Sequence, residues 1–344
     1  MFERVAVLGV GAIGGIIGGY LTRAGHDVTL IDQWAANVDA IRDKGLTVST
    51  QEGDFTVEAN AVHLGEVCNI VEPFDLVFLA MKSYDTTWAT HFILQYMAGN
   101  GAIVSAQNGI NDERIGPIAG WSKVLGCVIT LGAGMYEPAN PIRTSVADRL
   151  AFTIGEPSGI ESNRAHAIAD MLGVVGPTKV TSNMWGQRWS KLAVNSMANP
   201  ICALTGLTSG ASRETPGVVD VTVKIGAEVV RVGTALGVNV DPINNVPAQQ
   251  YVEASEDATV LEDLKSQLAE TARELGAGRP SMLQDVMKGR RTEIEYLDGY
   301  VANRGREVGI STPACDRITS LVKQVEAGAL ESEADNINLM SDFM

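Results

Sequence analysis

Over its first hundred residues the chain alternates short apolar runs with longer mixed stretches, the rhythm of buried parallel strands joined by helices. Arg4 to Leu8 (RVAVL) is the first run; a glycine turn, a helix to about Ala24, a Gly25-His26 turn and the strand DVTLID follow. FDLVFLAMK (74–82) and GAIVSAQNG (101–109) repeat the strand pattern, ending at Lys82 and at Asn108-Gly109. SKVLGCVITLGAGMYEP and RLAFTIGE read as antiparallel strands that complete the sheet. After about residue 182 the strand pattern stops, and helices are expected at about 184–204, 214–236, 246–276, 281–308 and 312–327. The pattern predicts an α/β N-terminal domain over 1–182 and an all-α C-terminal substrate or catalytic domain over 183–330. The acidic end, ESEADNINLMSDFM (331–344), is expected to be mobile.

The glycine turn narrows the first domain to a Rossmann-type dinucleotide-binding unit. Gly9, Gly11 and Gly14 form G-x-G-x-x-G between a strand and a helix, and Asp32 ends the next strand at the expected distance. A Cβ at these glycines would block the tight turn and hold a pyrophosphate away from the backbone. The helix N-terminus, with Ala12 and Ile13 in its first turn, then offers N–H groups and a partial positive charge. Asp32 bears on the coenzyme. Its carboxylate suits the ribose 2′-hydroxyl of NAD and repels the 2′-phosphate of NADP, by roughly 2–3 kcal/mol per unit charge at about 5 Å. Gln33 and Trp34 bring no compensating cation, so NAD(H) is favoured. Lys82 and Asn108 fall beyond the carboxyl ends of their strands, where ligands of open α/β sheets sit.

In the helical half, WSKLAVNSMANP (189–200) places Lys191, Asn195 and Asn199 at four-residue intervals, a polar stripe drifting about 40° per step. Leu192, Val194, Met197 and Ala198 cover most of the remaining surface. A second polar set lies in SMLQDVMKGRRTEIEYLDG (281–299), where Ser281, Asp285 and Glu293 share a face if one helix runs through Gly289. Reducing a ketone with a nicotinamide coenzyme leaves negative charge on the carbonyl oxygen, which an acid must protonate. Histidine often serves, yet the histidines here are His26, His63, His91 and His166, none in the helical half. Lys191 is therefore the leading proton donor for a dehydrogenase with its acid in that domain, and Glu293 is a carboxylate able to pair with it. The asparagines and Ser281 suit a substrate carboxylate without adding like charge.

Composition removes other classes. The 344 residues carry a net charge of −15, which disfavours nucleic acid and anionic membrane as partners. No run approaches the roughly 20 apolar residues of a membrane span. Cys68, Cys127, Cys202 and Cys315 are scattered without metal-ligand spacing, as expected of reduced thiols in a cytoplasmic protein, and no metal site is expected.

With these residues assembled, the sequence resembles the ketopantoate reductase (2-dehydropantoate 2-reductase) family over nearly its whole length. The likeness rests on GVGAIGG (9–15), MKSYDT (81–86), NGIND (108–112), WSKLAVNSMANPICALTG (189–206) and SMLQDVMKGRRTEIEYLDG (281–299). The resemblance implies an NAD(P)-dependent oxidoreductase that reduces a 2-oxo acid to a 2-hydroxy acid. Lys191 would be its general acid and Glu293 the partner of Lys191 and a contact of the substrate hydroxyl. Asn195, Asn199 and Ser281 would hold the substrate, and Lys82 and Asn108 would lie against the coenzyme and the reacting carbonyl. It also implies NADP(H) as the family default and a small-molecule 2-oxo or 2-hydroxy acid as partner; a homodimer through the helical half is a separate expectation. Two features depart from the family pattern: Ser209 stands where an asparagine often follows ALTG, and Asp32 opposes NADP. Two further readings stay open, an NAD-dependent dehydrogenase of a larger hydroxy compound in catabolism and an NAD(H)-sensing protein without turnover.

Overall fold

The computed structural model describes residues 2–275 and 278–344. The chain forms two compact units, Met1–Met184 and Trp185–Met344. In the first, β1 (Arg4–Leu8), α1 (Ala12–Arg23), β2 (Asp27–Asp32) and α2 (Ala35–Lys44) follow one another through short turns. After them come β3 (Leu46–Val48), β4 (Phe55–Val57), β5 (Asn60–His63), β6 (Phe74–Leu79), α3 (Thr86–Leu94), β7 (Met97–Ser105) and α4 (Asp112–Ala119). The unit closes with β8 (Val124–Ile129), β9 (Ala133–Glu137), β10 (Asn140–Arg143), β11 (Phe152–Gly155), α5 (Asn163–Leu172) and β12 (Thr178–Val180).

Among the described residues, eight strands form one sheet in the order β12-β11-β8-β7-β6-β1-β2-β5. The pairings from β8 to β5 are parallel, and β11 joins β8 antiparallel, as the two apolar runs around it predict. Side chains alternate across the pleat. Val5, Val7, Leu76, Phe78 and Val104 point to one face, where Ile16, Ile17 and Leu21 of α1 cover them. Ala6, Leu8, Val77, Leu79 and Ile103 point to the other, against Ala89, Ile93 and Ile115 of α3 and α4. Both faces being covered is why these strands read as continuous apolar runs. The first domain is thus of Rossmann type.

The second unit is helical. It contains α6 (Met184–Thr205), α7 (Ser209–Glu214), α8 (Val218–Ala235), α9 (Ala248–Ala254), α10 (Ala258–Leu275), α11 (Ser281–Met287), α12 (Asp298–Val308) and α13 (Pro313–Glu326). Three expected helices are broken. The stretch 214–236 starts only after Gly217, whose φ is +79°. The stretch 246–276 is split into α9 and α10, and its residue 276 lies outside the described residues. The stretch 281–308 stops at Met287, because Gly289 turns the backbone to φ +61°; a 3-10 turn, Ile294–Tyr296, intervenes before α12.

The acidic end is packed, contrary to expectation. A 3-10 segment, Ala334–Phe343, buries Ile337 and Met340. Ser332 Oγ donates to the Ala203 carbonyl (2.7 Å) and Asn336 Nδ2 to the Leu204 carbonyl (3.0 Å). The tail thereby satisfies carbonyls at the open C-terminal end of α6.

α8 lies close against α6 because two glycines face it. A Cβ at Gly226 would meet Met197 Sδ at 2.7 Å, and one at Gly233 would meet the Trp189 ring at 2.9 Å. The Glu228 carboxylate of α8 accepts from the Ala314 and Cys315 N–H groups (2.9 and 2.8 Å), capping α13 from another helix. Nearby, Asp298 is fully buried, and neither its carboxyl oxygens nor the Ser196 hydroxyl has a well-aligned hydrogen-bond partner. Burial pushes the Asp298 carboxyl well above the usual carboxylate range, and the charge of Glu228 adds to that rise.

A raised acid pKa means that the folded chain holds a proton the unfolded chain has released, so Asp298 costs stability increasingly as pH climbs above about 4. Asp298→Asn keeps the shape without the proton. Its unfolding midpoint should exceed that of the natural chain by a margin that widens from pH 5 to pH 8, reaching a few degrees. Thermal melts across that range check it; a margin independent of pH would show that Asp298 is already ionised.

Candidate active site

Parallel pairing brings the ends of β7, β6, β1 and β2 to one edge of the sheet. Gly9, Lys82, Asn108 and Asp32 therefore belong to one rim. Gly9 has φ +96°, and its N–H donates to the Ile31 carbonyl (2.8 Å), tying the turn to β2. A Cβ at Gly14 would sit 1.9 Å from the Gly9 carbonyl oxygen, so only glycine lets α1 start this close to β1. Gly11 differs: a Cβ there meets nothing within 4 Å, and the residue is exposed.

Gly11 is also the N-cap of α1, with no side-chain cap and no acidic residue in the first turn. The N–H groups of the first turn, Ala12 and Ile13 included, have no acceptor within the helix. Exposed glycine, uncapped helix end and absence of negative charge together fit a pyrophosphate and therefore a dinucleotide coenzyme.

Asp32 is 7% exposed. Its Oδ1 accepts from the Trp34 N–H (3.1 Å) and its Oδ2 from Asn37 Nδ2 (2.8 Å). Lys82 and Asn108 are half-buried and lie in loops stitched together by buried polar side chains. Gln107 Nε2 donates to the Met81 carbonyl and to Thr86 Oγ1, both at 2.9 Å. Asn111 Nδ2 donates to Ser83 Oγ (3.0 Å) and to the Asn108 carbonyl (2.8 Å). Gln107, Asn111, Ser83 and Asn37 were not expected from the sequence. A signal existed for Asn37, a polar residue on the face of α2 that buries Val38 and Ile41.

The remaining candidates lie in the helical unit. Lys191, Asn195 and Asn199 share one face of α6, and Lys191 is half-buried, while Asn195 and Asn199 are only 7% and 6% exposed. A solvated stripe would not be withdrawn from water in this way. Ser281 opens α11, whereas Glu293, buried, lies past the break at Gly289 and directly precedes the 3-10 turn that follows. Ser281, Asp285 and Glu293 therefore do not share one helix face: the left-handed Gly289 ends the four-residue ladder. Ser209 opens α7, and its N–H donates to the Gly278 carbonyl (2.9 Å), three residues before Ser281. Among the described residues no group of His, Cys, Asp and Glu is arranged to hold a metal ion, and no helix is long and apolar enough to cross a membrane.

Both units match known sequences. Residues 5–159 match the profile described as Ketopantoate reductase PanE/ApbA, and residues 183–326 match its C-terminal counterpart. The 2-dehydropantoate 2-reductase of Pyrococcus horikoshii is 30% identical over 94% of this chain and 98% of its own length. That of Pyrococcus abyssi is 31% identical over 94% and 98%. The chain belongs to the ketopantoate reductase family. It is accordingly an NAD(P)-dependent oxidoreductase. A solved ketopantoate reductase family protein from Ralstonia eutropha, 27% identical, superposes with a TM-score of 0.78 over 94% of this chain and 99% of its own. The fold is also that of a D-mandelate dehydrogenase solved with NADH and anilino(oxo)acetate, with a TM-score of 0.80 at 22% identity over 94% and 99%.

The glycine geometry separates binding from folding. Gly11→Ala should leave the melting temperature unchanged yet weaken NADH binding by about tenfold or more, since its methyl group enters the space a pyrophosphate needs. Gly14→Ala should lower both. Nicotinamide fluorescence titration beside thermal melts checks the pair; undiminished NADH affinity in Gly11→Ala would place the dinucleotide elsewhere.

Proposed function

We propose that this family member reduces a 2-oxo acid to the 2-hydroxy acid, with NADH as the preferred donor and Lys191 as the general acid. The coenzyme supplies a hydride to the carbonyl carbon. As negative charge grows on the carbonyl oxygen, the Lys191 ammonium donates the hydrogen bond and then the proton, leaving an amine that is reprotonated from solvent. Glu293 pairs with Lys191 and accepts from the substrate hydroxyl. Asn195, Asn199 and Ser281 orient the substrate carboxylate and side chain, neutral donors that bind an anion without competing with Lys191 for charge. Gly9, Gly11, Ala12, Ile13 and Gly14 hold the pyrophosphate, Asp32 the ribose, and Lys82 and Asn108 the nicotinamide end.

The observation that carries this reading is the burial of Asn195 and Asn199 on the helix face that presents Lys191. An ammonium and two neutral amides in line on one face match the proton donor and the uncharged anion contacts that a 2-oxo acid needs. The preference for NADH over the family default rests on Asp32, whose neighbours Gln33 and Trp34 are exposed and uncharged. A substrate other than ketopantoate is supported by Ser209, which stands where an asparagine often follows ALTG in the family and so offers a shorter side chain. The same reading includes a cytoplasmic location, from scattered unpaired cysteines, and a homodimer through the helical half, read out by light scattering.

NADH and NADPH oxidation with ketopantoate and a panel of other 2-oxo acids tests the proposal. Turnover should be fastest with NADH and an acid other than ketopantoate, and Lys191→Ala should lower kcat by about 10²–10⁴. Fast ketopantoate turnover with NADPH would overturn the coenzyme and substrate assignments and leave Lys191 standing. Full activity in Lys191→Ala would remove the proposed acid, and NADH binding with no turnover of any carbonyl would favour a sensor.

A further inference from the structure

Asn37 is wholly buried in the first turn of α2, and its amide makes three hydrogen bonds to three separate parts of the first unit. Nδ2 donates to Asp32 Oδ2 (2.8 Å) and to the Val10 carbonyl (3.0 Å), inside the glycine turn. Oδ1 accepts from the Ala139 N–H (2.8 Å), at the tip of the β9–β10 hairpin, where Ala139 takes the left-handed φ of +59°. One side chain thus spans the turn that would hold a pyrophosphate and the carboxylate that would hold a ribose.

The three partners depend on it unequally. The glycine turn is independently tied by Gly9 N–H to Ile31, and the hairpin by Thr47 N–H to Ala139 O (2.9 Å) and Ser49 N–H to Pro141 O (3.0 Å). Asp32 has no such reserve. Among the described residues, Asn37 is its only side-chain donor, and the Trp34 N–H holds only the other oxygen. Removing the amide would free the carboxylate to rotate about χ1 and χ2 while backbone bonds keep the turn and hairpin in place.

We propose that Asn37 is a positioning residue for coenzyme selection: it locks the Asp32 carboxylate so that it accepts a 2′-hydroxyl and cannot swing away from a 2′-phosphate. This rests on the reading of Asp32 as the ribose contact. Each carboxylate oxygen keeps a further lone pair for a ribose hydroxyl while its other bond fixes its direction. A dinucleotide with a free 2′-hydroxyl finds an aligned acceptor. One with a phosphate there meets a fixed negative charge, at a cost that a mobile carboxylate would largely escape.

The test is a double-mutant cycle read by binding alone, with Kd for NADH and NADPH from nicotinamide fluorescence on the natural chain, Asp32→Ala, Asn37→Leu and the double variant. Asn37→Leu, close in size to the amide and without donors, should lower the ratio Kd(NADPH)/Kd(NADH) by about tenfold, in the direction of Asp32→Ala. In the double variant the ratio should equal that of Asp32→Ala alone, since nothing remains to position. Should the leucine variant not fold, Asn37→Ala, which also removes the donor, carries the same comparison. Equal weakening of both coenzymes by the Asn37 change, or losses that multiply in the double variant, would overturn the proposal and leave Asn37 a structural residue. A natural chain that binds NADPH more tightly than NADH would overturn the Asp32 reading itself; the change in ratio on altering Asn37, with and without Asp32, decides the positioning role separately.

Discussion

The contact between the start of α1 and the end of β1 is the constraint on which the first unit depends. A Cβ at Gly14 would overlap the Gly9 carbonyl at 1.9 Å, so the helix begins within four residues of the strand only because no side chain intervenes. That proximity does three things at once. It lays Ile16, Ile17 and Leu21 on the sheet, it leaves the first-turn N–H groups facing outward beside an exposed Gly11, and it brings the Val10 carbonyl within reach of Asn37. Packing, an uncapped helix N-terminus and the anchoring of Asp32 follow from one steric allowance.

The helical unit solves a different problem, that of withdrawing polar groups from water in an α-helix with few charged neighbours. Close approach of α8 through Gly226 and Gly233 encloses one side of α6, and the C-terminal segment satisfies carbonyls at its end. Asn195 and Asn199 are buried beside Lys191. Buried amides in folded proteins are held by hydrogen bonds, so this face of α6 is an ordered polar surface and not a solvated edge. Asp298 and Glu228 show the same logic applied internally: the Glu228 carboxylate caps a neighbouring helix, while the Asp298 carboxyl, with no aligned donor, is driven toward its neutral form by burial.

Membership of the ketopantoate reductase family and the particular residues of this chain bear on different questions. The family relation spans both units, and with it comes the class of chemistry, nicotinamide-dependent carbonyl reduction. Asp32, held between Trp34 and Asn37, and Ser209, bonded through its backbone to Gly278, are the features of this chain on which the proposed coenzyme and substrate rest.

Much of this was legible in the chain itself. Strand runs, the glycine spacing, Asp32 at the end of β2 and the four-residue stripe of α6 are short-range patterns. They arise from backbone sterics and from which faces must leave water, and those act between residues close in sequence. The one helix that would put Ser281 and Glu293 on a common face is broken by the left-handed turn at Gly289, where local periodicity would continue it. The tail was misjudged because its composition is acidic, while its packing depends on Ile337, Met340 and two carbonyls about 130 residues earlier. Asn37 reaches partners 5, 27 and 102 residues away, and no local pattern specifies that meeting. Sequence by itself determined the strands and glycine turn of the first domain and the helical half that follows it. Tertiary structure alone decided which buried polar groups meet, because a hydrogen bond is worth its energy only between atoms that packing has already brought within about 3 Å.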